Sequence, residues 1–135
     1  MVSTAPDYLR FSQMLLNGGE LDGVRILSRH TVALMTADHL PPGTPIGLGG
    51  QFGALMPDLE HGQGFGLGFA VRVTPGHNPY PGSVGEYYWV GATGTTFWVD
   101  PREKLVAVMM VQLPLTQTQH YRSLIRSLVY QALTE

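Results

Sequence analysis

The stretch Glu86-Tyr87-Tyr88-Trp89-Val90-Gly91-Ala92-Thr93-Gly94-Thr95-Thr96-Phe97-Trp98-Val99-Asp100 is two aromatic runs joined through glycines. Aromatic and β-branched residues fit a pleated, half-buried surface, so the runs predict strands over about 85–90 and 95–99 with a hinge between them. Asp100-Pro101-Arg102-Glu103-Lys104 supplies the next turn, and the apolar run Leu105 to Val111 supplies the next strand. An unbroken apolar run is the mark of a strand covered on both faces, which predicts a central strand with a neighbour on either side. Upstream, Phe65, Leu67, Phe69, Val71 and Val73 alternate with Gly66, Gly68, Ala70 and Arg72. That period of two predicts one more strand, and its small-residue face leaves room for close approach by another backbone or a bulky side chain.

Helices bracket these strands. Ser3 or Thr4 can cap a helix from Pro6 to about Asn17, with Tyr8, Phe11 and Leu15 at helical spacing and Gly18-Gly19 to stop it. A short extended piece, Val24 to Leu27, follows the turn Asp22-Gly23. Ser28 then caps a second helix that ends near Asp38, before Pro41-Pro42. Residues 39–64 are rich in proline and glycine without a period and read as a long loop. From about Gln117 to Leu133 the pattern is amphipathic: Tyr121, Leu124, Ile125, Leu128, Val129 and Ala132 form one stripe, predicted to dock on the sheet. The fold class expected is α+β, with an antiparallel sheet of about four strands, a C-terminal helix packed on it and two N-terminal helices. No internal repeat or charge block divides the chain, so residues 1–135 are expected to form a single domain.

Composition narrows the function classes. Charged residues are 13% of the chain, against ~25% in ordinary soluble domains; either Thr, Gln, Ser and Gly cover the surface or some faces pack against other protein. A net charge of −2 with eight Lys plus Arg provides no basic field for nucleic acid. With no cysteine, disulfides, thiolate nucleophiles and Cys-based zinc sites are excluded. No apolar run is long enough to span a bilayer. The polar opening Met1-Val2-Ser3-Thr4-Ala5-Pro6-Asp7 is no signal peptide, which points to the cytoplasm if Met1 is the native start and otherwise leaves the compartment open.

Trp89-Val90-Gly91 followed by Ala92-Thr93-Gly94 resembles the third signature element of the serine β-lactamase, penicillin-binding protein and carboxylesterase superfamily, a Lys-Thr-Gly strand with variants such as His-Thr-Gly and Trp-Gly-Gly. Other stretches are similar to the C-terminal part of class C β-lactamase-like proteins and related (family VIII) esterases: residues 2–11, Met14 to Gly19, Arg25 to Ser28, Gly64 to Phe69 and Phe97 to Pro101. The resemblance places Trp89 at the Lys/His/Trp position, Gly91 at the motif glycine and Ala92 at the residue whose backbone N–H forms half of the oxyanion hole. Thr93, Gly94 and Tyr88 would line the substrate side. It also implies a small-molecule ester or amide substrate and no cofactor. Glycine at 91 would let a substrate lie along the strand, and Trp89 in place of lysine tilts the inference toward esterases.

The chain also departs from that family. No serine is followed three residues later by lysine, the arrangement that carries nucleophile and base, and no Tyr-x-Asn or Ser-x-Asn occurs. The expectation is therefore a C-terminal part of a larger serine hydrolase, inactive alone, with a sheet edge open to the missing N-terminal part or to a second copy. The competing reading is a non-enzymatic interaction module that binds a partner along that edge. His30, His39, His61, His77 and His120 have no metal-ligand spacing, so no metal is expected. Glu86 is either a general base or a solvated charge at a strand start, the second being the commoner case.

Overall fold

The computed structural model describes residues 2–44, 46 and 61–134. Helix α1 spans Ala5–Leu16; its cap is Thr4, whose hydroxyl accepts a 3.3 Å hydrogen bond from the Asp7 N–H. Gly18 ends it in the left-handed conformation (φ 68°), and the Gly19 N–H reaches back to the Met14 carbonyl at 2.8 Å. A two-residue hairpin follows, β1 (Glu20–Leu21) against β2 (Val24–Arg25). Helix α2 (Arg29–Met35) opens on Ser28, whose side chain accepts from the Thr31 N–H at 3.0 Å.

Five strands form the main sheet among the described residues, β3 (Gln63–Phe65), β4 (Ala70–Arg72), β5 (Tyr87–Val90), β6 (Thr96–Asp100) and β7 (Leu105–Met109). They lie in chain order and every pair is antiparallel. Helix α3 (Leu115–Gln131) closes the layer. The α+β expectation holds, and one strand was hidden in the alternating run 65–73. That run breaks into β3 and β4 around a turn in which the Gly66 N–H donates to the Phe69 carbonyl at 2.8 Å and Gly68 adopts φ 98°. The bare glycine face receives a neighbouring backbone: a Cβ on Gly66 would collide with the Met35 carbonyl, which itself accepts the Leu67 N–H at 2.8 Å.

Directly paired strand residues share a face, and the register therefore sorts the core in two. Val71, Tyr87, Phe97, Val99, Val106 and Val108 face α1 and α2, where Met14, Leu15 and Val32 meet them. Ala70, Tyr88, Trp98 and Ala107 face α3 and meet Val129 and Tyr130. The result is a helix–sheet–helix sandwich.

Two expectations need correction. The apolar run starting at Leu105 forms an edge strand: β7 pairs with β6 alone among the described residues, and all five of its residues are half-buried. The apolar stripe of α3 does not dock as a unit. Tyr121, Leu124, Leu128 and Ala132 are exposed, Ile125 and Val129 are half-buried, and the fully buried residues of the helix are Thr118 and Arg126. The cause is the chemistry of the sheet face beneath, where Glu86 and Asp100 are both completely buried. A buried carboxylate needs a partner, and the polar positions of α3 provide it.

Candidate active site

Strand β5 is paired on both sides only in its first half. β4 reaches Tyr87 and Tyr88 and stops, so Trp89 and Val90 have β6 on one side and no described strand on the other. Trp89 sits at this open edge, half-buried, with its ring edge-on to Phe65 at 5.2 Å. Beyond it the chain turns tightly. The Gly91 N–H donates to the Thr95 carbonyl at 2.8 Å, the Gly94 N–H to the Gly91 carbonyl at 3.1 Å, and the Thr93 carbonyl accepts the Leu113 N–H at 2.8 Å. These bonds occupy the turn's inner groups and leave Ala92 and Thr93 exposed. No backbone hydrogen bond is made by the Ala92 N–H among the described residues. An unengaged N–H on a braced turn is one of the elements from which an oxyanion site is built.

Gly91 is favoured for a reason internal to the turn. A Cβ there would land on the Thr95 side-chain oxygen, so the turn itself disfavours any larger residue whether or not a substrate passes. A groove of about 480 Å³ opens beside the turn, walled by Trp89, Gly91, Thr93, Thr95, Tyr8 and Met109 among others. Trp89, Gly91 and Thr93 thus share one groove, and Ala92, between the last two in the chain, is exposed. Gly94 is buried against Leu113 and shapes the turn from behind. Tyr88 lies apart from them: it is buried on the α3 face, 5.9 Å beneath the Arg126 guanidinium. Tyr87 and Trp98 are core as well.

Glu86 is neither solvated nor available as a base. One carboxylate oxygen receives Arg72 at 2.8 Å; the other receives Arg126 and lies 3.2 Å from the Tyr130 hydroxyl. Burial pushes its carboxyl above the usual glutamate range, with the attraction of Arg126 and Arg72 opposing that rise. Tyr130 also donates to Asp100 at 2.7 Å, and Asp100 accepts the Ser83 N–H at 3.0 Å. Burial and the two carboxylates raise the Tyr130 phenol, so it stays neutral and donates. Arg126 completes the cluster by donating to the Pro81 carbonyl at 2.7 Å and lying over the Trp98 ring at 5.3 Å. These ions pin α3 to β4, β5 and β6 behind the turn.

Arg72, Arg122, Arg126 and Tyr130 were not singled out from the sequence. The signal was present in α3, where Gln119, Arg122, Arg126 and Tyr130 follow helical spacing as a polar stripe. All five histidines are exposed, and no group of three His, Asp or Glu close enough to hold a metal occurs among the described residues.

A sequence model of the Beta-lactamase family matches residues 1–130. The chain belongs to that family. Two curated relatives from Mycobacterium tuberculosis, Uncharacterized protein MT1414 (strain CDC 1551 / Oshkosh) and Protein Rv1367c (strain ATCC 25618 / H37Rv), are each 40% identical over 113 residues. The match takes in 82% of this chain and 27% of each relative. Among solved structures, EstCE1, described as a hydrolase with promiscuous acyltransferase activity, superposes with a TM-score of 0.74 at 25% identity, over 95% of this chain and 30% of its own. Simvastatin synthase (LovD) from Aspergillus terreus gives a TM-score of 0.68 at 19% identity, over 91% of this chain and 33% of its own, which is a likeness of fold. The chain thus spans about a third or less of the length of these proteins, and its sandwich superposes on part of the two solved structures.

Proposed function

We propose that this chain forms the oxyanion-side wall of a serine hydrolase that cleaves esters or amides through an acyl-enzyme. Nucleophile and base belong to polypeptide outside this sequence, and the chain alone turns over no substrate. The observation that carries the reading is the exposed, unengaged Ala92 N–H on a braced turn at the open end of β5. Such a donor stabilises the charge that develops on a carbonyl oxygen during acyl transfer, and losing one typically costs ~2.7–4 kcal/mol of transition-state stabilisation. Absence of Ser-x-x-Lys from the sequence supports the second half of the proposal. Trp89 favours esters over substrates carrying a carboxylate, since that position of the strand offers a ring in place of a cation. The test is incubation of the pure chain with a chromogenic ester and a chromogenic cephalosporin. No turnover of either is expected; saturable turnover of either overturns the claim.

The outer edge of β7, which no strand pairs among the described residues, favours a second reading, an interaction module. A groove of about 490 Å³ straddles this edge between Ala5, Pro6 and Leu9 of α1 and Ile125 and Val129 of α3. On either reading the edge is a pairing surface, for the rest of a hydrolase or for a second copy of the chain.

A further inference from the structure

We infer that Arg122 is a positioning residue for the oxyanion donor, holding the Gly91–Ala92 peptide in the orientation that presents the Ala92 N–H. The inference rests on the reading of Ala92 given above and extends it to a residue on another element. Arg122 lies on α3, four residues before Arg126, and its guanidinium donates to the Gly91 carbonyl. That carbonyl also accepts the Gly94 N–H at 3.1 Å, so it is held from two directions. A trans peptide is planar, with the C=O of one residue and the N–H of the next pointing in opposite directions; no cis bond occurs among the described residues. Fixing the Gly91 carbonyl toward α3 therefore directs the Ala92 N–H away from α3, onto the exposed side of the turn.

Charge adds to geometry. A guanidinium on a carbonyl oxygen polarises the whole amide and makes its N–H a stronger donor. The cation also lies one peptide away from where an oxyanion would sit. Arg122 is held in place by the same helix that the Glu86–Arg126 pair anchors to the sheet, so the ion cluster behind the strand and the donor on its rim are mechanically continuous. A small cavity beside it is lined by Tyr80, Gln119, Ser123 and Thr96 together with Tyr88, Val90 and Trp98, so the guanidinium lies where polar groups border the core.

The test uses the isotope-labelled chain, following the Gly91 carbonyl carbon and the Ala92 amide by NMR in the wild type, Arg122→Gln and Arg122→Lys. Methyl methylphosphonate, a monoanion whose P–O⁻ resembles an oxyanion, is the titrated probe. Arg122→Gln is expected to move the Gly91 carbonyl upfield and weaken the probe's effect on Ala92 by roughly tenfold, the scale of one charge-assisted hydrogen bond. Arg122→Lys, which restores a charged donor, is expected to recover much of both, a rescue that mere packing would not give. If both resonances are indifferent to Arg122→Gln while the phosphonate still perturbs Ala92, the positioning role is overturned and the oxyanion reading survives. If the Gly91 carbonyl follows Arg122 but the probe leaves Ala92 unmoved even in the wild type, the oxyanion reading fails and takes the positioning role with it. Both variants retain a long polar side chain, and the Glu86–Arg126 pair is untouched, so the fold is expected to persist in each.

Discussion

At the residue scale, Gly91 and Tyr87 show what one atom decides. Gly91 has an ordinary backbone conformation, so alanine there is opposed by sterics alone: its Cβ would meet the Thr95 side-chain oxygen. Gly91→Ala is expected to lower stability by about 1–3 kcal/mol, the usual range for overpacking. Pairing it with Thr95→Ala, which removes the obstructing atom, should recover most of that loss in urea denaturation; an equal loss in both variants would show the turn is constrained by something else. Tyr87 presents the opposite case, a hydroxyl buried without a partner. Burial raises its phenol above the usual tyrosine value. Its stabilising contribution is thus complete below pH about 10 and lost as pH rises from there toward the raised value. Tyr87→Phe removes an unsatisfied group and is expected to raise stability by up to about 1 kcal/mol at neutral pH, and to make the alkaline fall in the urea midpoint shallower. A destabilised variant would mean that the hydroxyl has a partner.

Among the elements, α3 joins the sheet through a buried charge cluster beside the apolar contacts of Val129 and Tyr130. Its buried Arg126 meets Glu86 with the guanidinium over the rings of Tyr88, Trp98 and Tyr130. Breaking a buried pair leaves the other ion stranded, and Arg126→Ala is accordingly expected to cost about 3–5 kcal/mol, read as a lower urea midpoint. A loss below about 1 kcal/mol would mean that water reaches Glu86. The same helix explains what the sequence could and could not show. Local chemistry made α1, α2 and the hairpin of β5 and β6 legible: Thr4 and Ser28 cap as serines and threonines do, and aromatic runs around Gly91 and Gly94 pair across a turn. Partner-dependent features were not legible. Leu124 and Leu128 are apolar at helical spacing, yet the acids on the facing sheet drew the arginine side inward. The break between β3 and β4 depended on where the Met35 carbonyl lies, which no local pattern encodes. For the site, Trp89, Gly91 and Ala92 were readable as a motif, while Arg122 was not, because its partner is a backbone oxygen 31 residues away in the chain.

On the scale of the whole molecule, the open edge of β7 and the exposed side of α3 adjoin. Leu124 and Leu128 are 44% and 51% exposed, and Leu9 and Met110 are 44% and 42% exposed. A sheet edge with no charge in Leu105–Met109 lacks the usual protection against pairing, so the isolated chain is expected to self-associate with rising concentration. Leu128→Lys, at an exposed position, should leave the fold intact and reduce that association in light scattering; a wild-type chain that stays monomeric at high concentration would contradict this expectation. The charge content of 13% is in keeping with a surface that is partly interface. The same logic gives the most direct test of the central claim, that the chain supplies one wall of an acyl-transfer site and none of its nucleophile. The chain is produced alone and together with the part of a Mycobacterium relative that lies outside the matched segment, and turnover of a chromogenic ester is measured for each. The account predicts no turnover by the chain alone and saturable turnover by the complex; turnover by the chain alone, or none by a complex shown to be folded and associated, would contradict it.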